Sequence, residues 1–179
     1  LDEVEVAAEV GEAGIRLPGP DYLADAQELC RRYGTVLVAD EVQTGMFRTS
    51  TFLACHHYGV EPDIILLAKA LSGGLVPVGA VLMTDAVYAS VYDSLKRAII
   101  HTSTFSENGL AMRAALSTLD VLEDENLGER ASRAGERVRQ ALSKRLSRFE
   151  MVKDVRGAGL FSGIEFRPPS QLRLRLAFE

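Results

Sequence analysis

Thr35-Val36-Leu37-Val38-Ala39-Asp40-Glu41 is the stretch on which the fold turns. Five strand-forming or small residues run together without polar alternation, as a strand covered on both faces requires, and the run stops abruptly on two acids. Upstream, Leu23, Ala26, Cys30 and Tyr33 recur at spacings of three and four. Pro20 stands near the start and Gly34 just past the end, so a helix is predicted over residues 19–33. Downstream, Asp63-Ile64-Ile65-Leu66-Leu67-Ala68-Lys69 predicts a second buried strand, and residues 78–83 a third, after the Ser72-Gly73-Gly74 loop. Helical patterns occupy residues 85–93 and 108–122. Buried strands alternating with helices predict an α/β architecture with a mostly parallel sheet.

Past Glu123 the texture changes. Leu127, Ala131, Ala134, Val138, Leu142 and Leu146 form one apolar stripe on a charged helix. Shorter strand signals follow at residues 151–155 and 160–166, separated by Arg156-Gly157-Ala158-Gly159, and an alternating stretch covers residues 172–179. The expectation is part of a large domain over residues 1–122 and the start of a smaller α+β domain over 123–179. The absence of methionine at position 1 and the abrupt final strand signal predict a piece of a longer chain.

Twenty-five acidic and twenty basic residues give a net charge of −5 without a long basic run, which disfavours a nucleic-acid partner. No apolar run is long enough for a membrane span, and the acidic start is unlike a signal peptide, so a cytoplasmic protein is expected. Cys30 and Cys55 lie in apolar surroundings without Cys-x-x-Cys spacing and read as buried free thiols. His56, His57 and His101 lack ligand spacing, and no metal site is expected; the adjacent pair suits a turn or a helix surface.

In an open α/β sheet, ligands bind beyond the carboxyl ends of the strands. Asp40 ends one buried run and Lys69 another. Lys69 has two readings from position alone: a surface lysine where the strand leaves the core, or a partly desolvated amine able to form Schiff bases. Asp40 and Glu41 likewise read either as a solvated strand end or helix cap, or as site carboxylates.

The order of the pieces adds a resemblance. Asp40-Glu41-Val42-Gln43-Thr44-Gly45-Met46-Phe47-Arg48-Thr49-Ser50, residues 51–62, then Asp63 through Lys69 to Gly74, resembles the signature of the class III, or ornithine-type, pyridoxal-phosphate aminotransferases. Gly11-Glu12-Ala13-Gly14-Ile15, Pro77-Val78-Gly79-Ala80, His101-Thr102-Ser103-Thr104-Phe105-Ser106-Glu107-Asn108 and Arg156-Gly157-Ala158-Gly159-Leu160 are similar to further blocks of that family in its order.

The resemblance implies the fold type I of pyridoxal-phosphate transferases, with α/β/α layers, and an enzyme moving an amino group between an amino donor and a keto acid or aldehyde. Lys69 is implied as the Schiff-base lysine and proton shuttle. Asp40 is implied as the partner of the pyridine nitrogen, which lets the ring act as an electron sink. Gln43 is implied beside the phenolic oxygen. Thr104 is implied to reach the cofactor phosphate of a neighbouring subunit in a homodimer, although its own residues also suit an ordinary ST-turn. Glu12 is implied on the substrate side.

The chain departs from the family in two places: Ala7-Ala8-Glu9-Val10 stands where Glu-Pro-x-Gln is usual, and Ser106-Glu107 where Gly-Gly precedes the asparagine. The family's phosphate loop, ring-stacking aromatic and carboxylate-binding arginine fall outside the 179 residues. An aminomutase or decarboxylase on the same scaffold, or a non-catalytic fragment, are the alternatives.

Overall fold

The computed structural model describes residues 3–6 and 14–167. Glu12 and the strand expected over residues 172–179 lie outside them. The principal sheet has four strands, β1 (Glu3–Val6), β2 (Val36–Asp40), β3 (Ile64–Leu67) and β4 (Ala80–Met83), in that spatial order. β2 lies parallel to both β1 and β3, while β4 is antiparallel to β3, so the sheet is mixed with a parallel majority of pairings. β1 was absent from the expectation, because its Glu-Val alternation carries none of the continuous apolar signal of β2 and β3.

Helix α1 (Tyr22–Tyr33) packs on β2 with Leu23, Gln27 and Cys30 buried. Tyr33, expected on that face, is 74% exposed. The helix stops because Gly34 takes the left-handed conformation at φ 66°, which glycine adopts without a Cβ penalty, and Thr35 N–H returns to Cys30 O at 2.9 Å. β2 then buries Leu37, Val38 and Ala39.

Asp63 sets the register of the next strand. Its N–H donates to Leu37 O and its Oδ2 accepts from Leu37 N–H, both at 2.9 Å, and its carbonyl accepts from Thr84 N–H at 3.0 Å. One residue thus joins the starts of β2 and β3 to the residue after β4. The core around these strands includes Leu23, Cys30, Leu37, Leu53, Cys55 and Leu67. His57 lies in a 3-10 helix (Ala54–Tyr58), where its Nε2 is 2.9 Å from Thr49 O.

Helices α2 (Asp85–Val91) and α3 (Gly109–Asp124) follow. α3 is capped by Asn108, whose Oδ1 accepts from Leu110 and Ala111 N–H at 3.0 and 3.1 Å. The next helix, α4 (Leu127–Leu146), has the bounds its periodicity predicts but a different buried face. Gly128, Ala131 and Gly135 are buried, whereas Val138 is 48% exposed.

Close backbone approach explains the difference. A Cβ on Gly135 would stand 1.6 Å from Gly159 O, and one on Gly128 2.7 Å from Ser50 O. Gly159 itself has φ 51°, and a Cβ there would stand 2.6 Å from Arg48 O. Arg139 shares the buried face, its side chain only 15% exposed, and donates to Gly159 O at 2.5 Å.

The antiparallel pair β5 (Val152–Ala158) and β6 (Phe161–Phe166) closes the described chain, turning at Gly159. From β5, Arg156 reaches the other end of the sequence, donating to Ile15 O at 2.6 Å and Gly14 O at 2.7 Å. Ile15 is held at φ 52°, a conformation a β-branched residue takes only under constraint. No helix of the described residues is long and apolar enough to cross a membrane.

Candidate active site

Of the residues expected to carry chemistry, Asp40, Gln43 and Lys69 lie at or just beyond the carboxyl ends of β2 and β3. Asp40 ends β2 in register with Leu66, and Lys69 stands two residues past Leu67, the last residue of β3. Both therefore stand at the same end of two adjacent parallel strands, the end at which open α/β sheets bind ligands.

Asp40 is half-buried. Its Oδ1 accepts from Val42 N–H at 2.9 Å, an Asx-type turn that orients the carboxylate, and its Oδ2 has no hydrogen bond among the described residues. Gln43 lies half-buried in the turn that follows, its amide also without a bonded partner among the described residues. The turn closes through Gly45 N–H to Glu41 O at 2.9 Å, where a Cβ would meet that carbonyl at 2.9 Å and Leu67 Cδ2 at 3.0 Å.

Lys69 opens a 3-10 helix (Lys69–Ser72) instead of prolonging β3, as the sequence had suggested. Its φ is 45°, and its amine is exposed and makes no hydrogen bond or ion pair among the described residues. Buried Ser72 fastens the loop behind it, donating to Val76 O at 2.5 Å and accepting from Val76 N–H at 3.3 Å. Gly73, at φ 64°, lies against Thr118 of α3, which backs the lysine loop.

Met46, Phe47 and Ser50 are also left-handed, at φ 59°, 62° and 85°. Each such non-glycine conformation costs about 1–3 kcal/mol, and such costs concentrate where backbone must be held for function.

Glu41 was the reading most revised by the structure. The sequence suggested a solvated strand end or cap, yet Glu41 is 1% exposed. Its carboxylate accepts from the Thr44 hydroxyl, from Ala54 N–H at 3.0 Å and from Cys55 N–H at 2.8 Å. The signal available in the sequence was the threonine three residues on; the two amide donors lie too far along the chain to be read.

Burial first, and then the Glu41 carboxylate, push the Cys55 thiol up to about 12. Thiolate is the alkylating species, so Cys55 in the folded protein is expected to resist iodoacetamide at pH 8 and to react on unfolding, as read by mass spectrometry of its peptide. Rapid labelling of the native protein at Cys55 would contradict this. The sign of the linkage follows: the thiol stays protonated in the folded state while the unfolded state ionises, so this group's stabilisation is lost as pH rises from about 9 towards 12.

Thr104 is not gathered with the others. Residues 101–110 are exposed, and the turn there is made by Ser103 and Ser106, with Ser106 N–H donating to Ser103 O at 3.1 Å. Leu95, Ile99 and Phe105 in and beside this segment are 97%, 79% and 81% exposed.

The strand ends thus carry a half-buried acid, Asp40, and an exposed lysine, Lys69, and the comparisons with known proteins supply the family. Residues 5–178 match the class-III aminotransferase family, to which this chain belongs. It is 44% identical over 158 residues to a putrescine aminotransferase of Pectobacterium atrosepticum, covering 88% of this chain and 33% of that protein.

Among solved structures, ornithine δ-aminotransferase of Plasmodium falciparum superposes with a TM-score of 0.84 at 41% identity, over 93% of this chain and 42% of that one. A Bacillus anthracis aminotransferase superposes with a TM-score of 0.90 at 28% identity, over 97% and 40%. The fold is that of fold type I pyridoxal-phosphate enzymes. The chain spans about a third of the length of the curated relatives it matches.

Proposed function

We propose that the intact protein is a pyridoxal-phosphate-dependent aminotransferase that moves an amino group from an amino donor to a keto acid or aldehyde in a ping-pong cycle. The observation that carries this reading is the pair Asp40 and Lys69, set on adjacent parallel strand ends with Oδ2 and the amine left unpartnered among the described residues. A carboxylate for a ring N–H, an amine for a carbonyl carbon, and the Gln43 amide for a phenolic oxygen are the functional groups pyridoxal phosphate needs, so these residues fit it.

When bound, pyridoxal phosphate supplies the electron sink that makes the substrate's α-proton removable. The protein's own residues do the rest. Lys69 would hold the cofactor through its amine and would move the proton at the substrate's α-carbon. Asp40, oriented by Val42 N–H, would keep the ring nitrogen protonated. Gln43 would offer its amide to the phenolic oxygen. Thr104 would offer its hydroxyl to the cofactor phosphate of a second subunit, and Glu12, outside the described residues, is proposed on the substrate side.

The exposed apolar residues Leu95, Ile99 and Phe105 around Thr104 support a homodimer. Separate sheets β1–β4 and β5–β6 support a division near residue 122 into large and small domains. The buried free thiols Cys30 and Cys55 support a cytoplasmic location. Relatives named for putrescine and ornithine support a donor with a terminal primary amine on a short carbon chain.

Supplying nitrogen-labelled putrescine or ornithine together with an unlabelled keto acid is expected to place the label in the new amino acid. Label that never leaves the donor's own carbon skeleton would instead indicate an aminomutase, and release of carbon dioxide a decarboxylase.

A further inference from the structure

We propose that Glu41 is a positioning residue for the cofactor, holding Asp40 and Gln43 in place through a fully buried carboxylate; this rests on the reading of those two residues given above. A buried carboxylate is expensive unless its oxygens are satisfied, and here three donors meet it: the Thr44 hydroxyl, Ala54 N–H and Cys55 N–H. The first lies within the turn after β2, and the others lie in the 3-10 helix thirteen and fourteen residues on.

The backbone of Glu41 is tied equally well. Its N–H donates to Leu66 O at 3.0 Å, extending the ladder with β3 by one residue, and its carbonyl accepts from Gly45 N–H at 2.9 Å. Asp40 immediately precedes this anchor, and Gln43 lies inside the loop it closes. The two side chains that face the cofactor therefore take their directions from a residue that faces away from it.

An apolar side chain at this point would leave the Thr44 hydroxyl and the Ala54 and Cys55 N–H groups buried without an acceptor. The carboxylate also gives direction, because three donors converging on two oxygens admit few arrangements of the turn. Glu41 is no catalytic residue: it is 1% exposed, and both its oxygens are occupied.

The test uses the intact protein, prepared free of cofactor and titrated with pyridoxal phosphate. Glu41→Gln places an NH2 group among donors only, so the turn must shift. The expected result is a cofactor Kd raised about 10- to 100-fold, as found when an outer residue that orients a ligand is removed, with a displaced pH midpoint of the cofactor's visible absorbance. Thr44→Val, which removes one donor and keeps the shape, is expected to move both readouts in the same direction by a smaller factor.

Thermal unfolding of the cofactor-free variants provides the control. Lowered stability with wild-type Kd and wild-type absorbance titration in both variants would make Glu41 a purely structural residue and overturn the proposal. Should Glu41→Gln not fold, wild-type values in Thr44→Val overturn it equally. A wild-type protein that takes up no pyridoxal phosphate would instead overturn the functional reading on which the proposal stands.

Discussion

Replacing Lys69 by alanine in the intact protein is expected to lower kcat by about 10⁴-fold or more, since covalent attachment and proton shuttling leave together. Borohydride reduction of the wild-type protein with pyridoxal phosphate should leave a stable mass increment on the peptide that contains Lys69, and none in the variant. Lys69→Arg keeps the charge without the nucleophilic amine and should be as inactive as alanine. The fold should hardly respond, because the side chain is exposed and unpaired among the described residues. Such surface changes lie within about 0.5 kcal/mol. Activity within tenfold of wild type, or an increment on another lysine, would remove Lys69 from the role.

Gly135→Ala is expected to destabilise the intact protein severely, although the substitution lies in the interior of α4. Helix propensity alone favours alanine by about 1 kcal/mol. Against that stands a Cβ placed 1.6 Å from Gly159 O and 2.4 Å from its carbonyl carbon, a backbone contact with no flexible side chain to yield. Relieving it means parting α4 from the β5–β6 turn, which also carries the Arg139 bond to Gly159 O. Overpacking of this kind costs about 3 kcal/mol or more. Calorimetry of unfolding should show the loss, while Ala134→Gly next to it, on the exposed face, should cost only about 1 kcal/mol. A raised Tm for Gly135→Ala would mean that propensity outweighs the contact.

These two positions differ in how far the sequence disclosed them. Lys69 and Asp40 terminate continuous apolar runs, and such runs mark buried parallel strands, so their place at one end of the sheet was readable before any coordinates. The ends of α4 at Leu127 and Leu146 were readable too, from the spacing of leucines. Its buried face was not, because Gly128 and Gly135 have no side chain to register on an apolar stripe, and close backbone approach leaves no mark in periodicity. Arg139 was hidden for a related reason: a guanidinium reads as solvent-facing until its acceptor, twenty residues on, is known. Glu41 was concealed in the same way by donors at positions 54 and 55. Thr104 carried two readings in the sequence; the turn there is bonded through Ser103 and Ser106, which leaves the Thr104 hydroxyl exposed.

The bond from Arg156 to Ile15 bears on the order in which the molecule can be assembled during translation. The two residues are separated by 141 positions, so Ile15 leaves the ribosome long before its guanidinium partner has been made. At roughly 5–20 residues per second the wait is roughly 7–28 s, far longer than the microseconds in which helices form. Throughout that interval residues 14 and 15 lack the contact that holds Ile15 at its positive φ. The segment ahead of α1 accordingly gains this contact only after the β5–β6 hairpin has emerged.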